Sequence, residues 1–273
     1  MVSDDRPIGI FDSGIGGLTV TARIRQALPA ERLLYFGDQA HVPYGDRDDA
    51  QILAFSEAIA HWLLERGAKA LVIACNTASA AALKPLRERL PHVPIVGMEP
   101  AVKPAVEHTR TGVVGVIATV ATMQGAVFAS IVERFAQGVT VLQQACPGLV
   151  RQIEAGELDT PRTEAMLRGW LEPMVDRGID ALVLGCTHYP LVRPLIERIV
   201  GPDVRVIDPA PAIARRLGQV LAEADLAAGE GAGGIEVYTS GDEPRLRAML
   251  HRLGLGPWPV HGLQWTEGRL TPP

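Results

Sequence analysis

Two short segments of this 273-residue chain carry the same run of reactive and polar groups. Residues 74–79 read ACNTAS and residues 185–190 read GCTHYP, so Cys75 and Cys186 each close an apolar stretch and precede a polar pair, Asn76-Thr77 or Thr187-His188. A buried cysteine is ordinarily a small hydrophobe. At the end of a strand and the start of a helix its chemistry changes, because free backbone N–H groups and the helix dipole favour a thiolate and also a substrate carboxylate. Two equivalent thiols suit proton transfer on opposite faces of one carbon: one starts as base, the other as acid, and the reverse direction swaps them. Sulfurs roughly 3.5 Å from such a carbon would stand about 7 Å apart, far beyond disulfide bonding. Redox chemistry fits less well, since redox pairs usually lie close in sequence. The third cysteine, Cys146 in QQACPGL, has no counterpart and reads as structural. Three distant cysteines without a CxxC argue against a disulfide scaffold and against a zinc site, so no metal is expected.

Two further segments bear polar groups where a ligand could sit. Residues 11–18, FDSGIGGL, place Asp12 and Ser13 at a strand end, before glycines that let backbone approach a ligand. The glycine spacing is not that of a dinucleotide fingerprint, and Asp12 or Ser13 could instead cap the following helix. Residues 37–45, GDQAHVPYG, contain the turn Pro43-Tyr44-Gly45, whose backbone N–H groups could grip an anion or simply belong to a loop. Only three lysines occur, Lys69, Lys84 and Lys103, and none is placed like a Schiff-base lysine. No cofactor is expected.

The elements positioning these groups follow from an alternation of short apolar runs with amphipathic stretches, the pattern of an α/β protein with mainly parallel sheets. Strands are predicted at 8–11, 32–37, 70–74, 95–97, 112–117, 140–143, 181–184, 205–207 and 235–239, with a helix over 50–66 among those between. Residues 67–77 (GAKALVIACNT) and 178–188 (GIDALVLGCTH) echo one another at an offset of 111. The echo predicts two pseudo-symmetric doubly wound α/β domains with the active site at their interface. Residues 1–98 plus 209–265 would form the first, 99–208 the second, and 266–273 a C-terminal tail. Residues 229–234 read as a flexible surface loop. A net charge of −5, with 26 Lys+Arg against 31 Asp+Glu, gives no field that would attract nucleic acid. The start carries no apolar signal segment and no run is long enough to span a membrane, so a soluble cytoplasmic protein is expected.

With these motifs assembled, the chain resembles the glutamate racemases of the aspartate/glutamate racemase family. The matching pieces are FDSGIGGLTV, GDQAHVPYG, ACNTAS, GVIATVAT, ACPGLVRQIEAGE, LGCTHYPL and YTSGD, in order from Ile10 to Asp242. The resemblance implies cofactor-independent interconversion of L- and D-glutamate, supplying D-glutamate for bacterial peptidoglycan. It implies Cys75 and Cys186 as the acid/base pair, Asp12 beside the first thiol, His188 beside the second, and Glu154 as a carboxylate near His188. Glutamate would be held by Asp12, Ser13, Tyr44, Gly45, Asn76, Thr77, Thr119, Thr122, Thr187 and His188, in a homodimer. Three departures stand out. His41 takes the place of a common Arg, Ala118 that of a common Gly, and the stretch after Pro147 lacks the usual Phe and Pro.

Aspartate remains an alternative substrate, since one methylene shifts discrimination by only about 1–3 kcal/mol. A cysteine hydrolase using Cys186, His188 and Glu154 would leave Cys75 and the duplication unexplained. A binding or regulatory protein of the same fold is the third reading.

Overall fold

A computed structural model describes residues 4–229, 231 and 233–273. The chain divides into two compact units, the first running to Met98 and resuming from Ala210 to Pro273, the second spanning Glu99–Pro209.

The first unit opens with β1 (Ile8–Asp12), α1 (Gly17–Ala27), β2 (Leu33–Gly37), α2 (Asp49–Glu65), β3 (Ala70–Ile73), α3 (Asn76–Arg89) and β4 (Ile95–Gly97). Every residue of β1, β2 and β3 is buried. Their unbroken apolar runs are those of parallel strands covered on both faces. β1 pairs in parallel with both β2 and β3, so Phe11 lies opposite Phe36 on one side and Ile73 on the other. A 3₁₀ turn, Tyr44–Asp46, precedes α2. Asp48 caps α2 by accepting a 2.8 Å hydrogen bond from the Gln51 N–H, and the helix buries Ile52, Ile59 and Leu63.

The second unit comprises α4 (Val102–His108), β5 (Val113–Ala118), α5 (Val120–Gln124), α6 (Ala126–Phe135), β6 (Thr140–Ala145), α7 (Leu149–Glu154), α8 (Pro161–Val175), β7 (Ala181–Gly185), α9 (Arg193–Val200) and β8 (Arg205–Ile207). Its parallel sheet has the order β6-β5-β7-β8, the counterpart of β2-β1-β3-β4 in the first unit. In each sheet the winding reverses between the first and third strands of the set. Such a reversal opens a crevice at the carboxyl ends of those strands. Cys75 follows β3 there, and Cys186 follows β7.

The first unit is completed by α10 (Ala210–Glu223), β9 (Ile235–Thr239), α11 (Glu243–Arg252), β10 (Val260–Gly262), β11 (Gln264–Thr266) and β12 (Arg269–Thr271). α10 packs on α1, and β9 and β10 extend the sheet to β10-β9-β2-β1-β3-β4. The expected tail at 266–273 is corrected here: β12 pairs antiparallel with β11, and Leu270 is buried in the core that contains Phe11 and Phe36. Pro209 falls in the second unit rather than the first. Of the expected loop 229–234, residues 230 and 232 lie outside the described residues. Among the described residues no helix is long and apolar enough to cross a membrane.

Candidate active site

Each unit carries its own cluster at the strand ends. In the first, the β1–β3 pairing continues through a 2.8 Å hydrogen bond from the Ala74 N–H to the Phe11 carbonyl, which brings Cys75 alongside Asp12 and Ser13. The Cys75 Sγ lies 3.9 Å from the Ser13 Oγ. Cys75 is also the N-cap of α3, its sulfur accepting the Ala78 N–H at 3.4 Å. Negative charge on this sulfur therefore meets an N–H donor and the positive end of a 14-residue helix.

Asp12 is fully buried, and its Oδ1 accepts the Gly14 N–H at 2.8 Å. Neither Asp12 nor Ser13 is the N-cap of α1, the alternative reading of these residues; that position is Gly16, with no side-chain bond. α1 comes close to Asp12 through Gly17, where a Cβ would stand 2.6 Å from the Asp12 Cβ. Asn76 is buried with neither its Oδ1 nor its Nδ2 hydrogen-bonded. An unmet buried polar group costs about 1–3 kcal/mol, so an amide with both ends open is what a polar ligand would satisfy. Thr77 is buried beside it.

In the Tyr44-Gly45 turn the Tyr44 side chain is buried. The Tyr44 hydroxyl donates to the Asp38 Oδ2 at 2.7 Å. Burial first, and then the Asp38 carboxyl, push that hydroxyl's pKa well above its usual range, so it stays protonated and anchored. Asp38, which sequence reasoning missed, is fully buried among four side chains. No local motif marks it, because two of those partners lie more than 200 residues away. Its partners include His41, whose ring stacks on Phe55 with centroids 3.8 Å apart.

In the second unit, Cys186 comes directly after β7, and its Sγ is 3.9 Å from the His188 Nδ1. The His188 Nε2 lies 2.6 Å from the Oε1 of Glu154, the last residue of α7. Burial works to lower the His188 pKa, but hydrogen bonds to Cys186 and Glu154 outweigh it and the pKa lies well above the usual range. These two partners therefore favour the imidazolium form beside the thiol. No α-helix starts at Cys186, contrary to expectation: a 3₁₀ turn, Tyr189–Val192, follows, and α9 begins only at Arg193. His188 supplies the positive charge that α3 supplies to Cys75.

Thr187 is buried next to Cys186. The Thr119 hydroxyl caps α5, accepting the Thr122 N–H at 3.2 Å and donating to the Thr122 Oγ1 at 2.9 Å. At the departure Ala118, the neighbouring strand makes room: a Cβ on Gly185 would stand 2.9 Å from the Ala118 Cβ. Cys146 is buried, and burial pushes its thiol far up, which keeps it protonated and inert. Lys69 pairs with Glu31 at 2.7 Å, both side chains buried, which leaves it unavailable for Schiff-base chemistry.

The sequence profile of the Asp/Glu/hydantoin racemase family matches residues 8–217. The chain belongs to that family. The glutamate racemase of Roseiflexus sp. (strain RS-1) is 52% identical over 252 residues, which are 92% of this chain and 93% of that protein. The crystal structure of the glutamate racemase isoform RacE1 from Bacillus anthracis superposes with a TM-score of 0.87 at 32% identity, over 97% of this chain and 98% of that one. The glutamate racemase of Escherichia coli, solved with L-glutamate and the activator UDP-MurNAc-Ala, superposes with a TM-score of 0.83 at 31% identity, over 95% of this chain and 98% of that one. This racemase therefore shares about half its residues with the Roseiflexus protein and its fold with the two solved glutamate racemases.

Proposed function

We propose that this racemase interconverts L- and D-glutamate by passing the α-proton between Cys75 and Cys186 without a cofactor, supplying D-glutamate for peptidoglycan. The observation that carries the reading is the pair of strand-end thiols at corresponding places in two sheets that share a four-strand order. The similarity to glutamate racemases supports the choice of substrate.

A free thiol is only a few per cent ionised at neutral pH, so each needs help to act as a base. In the first unit the N–H groups and dipole of α3 stabilise the Cys75 thiolate, and buried Asp12 hands protons on and off it. In the second, the His188 imidazolium steadies the Cys186 thiolate and Glu154 holds the ring. Each positioned proton-transfer group contributes roughly 10²–10⁴ in rate. Ser13, Asn76, Thr77 and the Tyr44-Gly45 turn bind glutamate from the first unit, with Thr119, Thr122 and Thr187 from the second. Asn76 offers one carbonyl to an ammonium and one NH₂ to a carboxylate. Cytoplasmic residence and a homodimeric state belong to the same proposal.

Circular dichroism of L- and D-glutamate with the purified protein tests the reading. Both signals should decay to zero without added cofactor, because mirror-image solutes have equal free energy. Persistence of either signal refutes it, and decay with aspartate but not glutamate would move the substrate to the shorter acid.

The Cys186–His188–Glu154 chain also has the nucleophile–base–orienter order of a cysteine hydrolase. Solvent deuterium entering the α-carbon of glutamate separates the two, since hydrolysis does not require it.

A further inference from the structure

We infer that the β11–β12 hairpin positions the Tyr44-Gly45 turn for substrate through the buried carboxyl of Asp38, with Trp265 as the positioning residue; this rests on the racemase reading above. Asp38 follows β2 and is fully buried. Its Oδ1 accepts the Trp265 Nε1–H at 2.8 Å and the Ser240 hydroxyl at 2.7 Å. Its Oδ2 accepts the Tyr44 hydroxyl at 2.7 Å and lies 2.9 Å from the His41 Nδ1. The Ser240 Oγ accepts in turn the Ala40 N–H at 3.0 Å.

Four donors on one carboxyl fill its acceptor capacity. Such a group is rigid while all its bonds are made, and loss of one donor leaves an unmet acceptor in apolar surroundings. The partners divide unevenly. His41 and Tyr44 belong to the segment that carries the turn, whereas Ser240 and Trp265 come from chain beyond residue 217, where the family match ends. Rings close the same point: the Trp265 ring meets the His41 ring edge-on, centroids 5.0 Å apart, and Phe55 at 5.7 Å. Tyr44 in turn is packed in the core that includes Cys75 and Ala78. The hairpin thus tethers the turn from above while the core holds it from below. Its effect is on the geometry of substrate binding, not on proton transfer.

Trp265→Phe keeps a ring and deletes one N–H. The KM for glutamate should rise about tenfold for both enantiomers with kcat within about twofold, and the amides of residues 41–47 should exchange faster with solvent. Ser240→Ala, which removes the other donor to the same oxygen, should move KM in the same direction. In an Asp38→Asn background, Trp265→Phe should add less than about twofold, because it acts through that carboxyl. Unchanged KM and exchange overturn the inference. So does a fall in kcat at constant KM, or an equal factor in both backgrounds. The exchange measurement needs no turnover. Wild-type protein that leaves glutamate unaltered would refute the racemase reading, while the tether would still stand or fall on the amides.

Discussion

Cys75 and Cys186 occupy corresponding positions but are served by different groups, one by a helix start and the other by an imidazolium braced by Glu154. Cys75→Ser and Cys186→Ser should each lower turnover at least about 10³-fold, while calorimetry still detects glutamate binding. Asp12→Asn and His188→Asn should depress kcat unequally in the two directions. KM must then change in parallel, because a racemase with a unit equilibrium constant has equal kcat/KM both ways; equal kcat losses from both variants would count against separate roles. Glu154 gives a pH test. Since Cys186 and Glu154 together hold the His188 pKa above its ordinary value, Glu154→Gln should lower it and move the alkaline limb of kcat to lower pH. The stability sign follows from the same shift. A raised histidine pKa stabilises fully below the unfolded value and loses that contribution as pH climbs through the folded one. Urea melts should therefore show the Glu154→Gln penalty largest below about pH 6.5, over the range in which Glu154 keeps its charge, and shrinking with alkalinity.

Among the elements, α1 and α2 offer a contrast between position and stability. Gly17→Ala would press a Cβ against the Asp12 Cβ and the Tyr35 ring. Activity should fall well beyond what a loss of about 1–3 kcal/mol in stability explains, read as kcat at a temperature where the fold is intact. Asp48→Ala removes the α2 cap and should cost about 1 kcal/mol in a thermal melt with KM unmoved. The parallel strands were legible because burial on both faces writes them as apolar runs, and even β6 was missed only at its last two residues. β10, β11 and β12 are three residues each and expose part of every strand, so they leave no such run. The turn after Cys186 was misread for a local reason. Pro190 and Pro194 interrupt the helical pattern there, giving a 3₁₀ turn before α9.

For the whole molecule, the duplication visible in residues 67–77 and 178–188 reflects two sheets with corresponding strand order. Asp12, Ser13, Cys75, Asn76, Cys186 and Thr187 could be singled out because they stand at or just past the ends of strands that the apolar pattern locates, whereas Glu154, at the end of α7, was named only through the family resemblance. Asp38 was not legible, since its partners are joined by folding rather than by spacing. The order of synthesis has its own bearing on this architecture. β2 is made early, yet its outer neighbour β9 lies at Ile235–Thr239, beyond the entire second unit. At about 5–20 residues per second, the ribosome leaves that edge without its mate for about 10–40 s. An uncovered strand edge recruits other chains, so nascent protein should depend on chaperones during this interval. A chain ending at residue 209 should accumulate in inclusion bodies, as a pellet-to-supernatant assay would show.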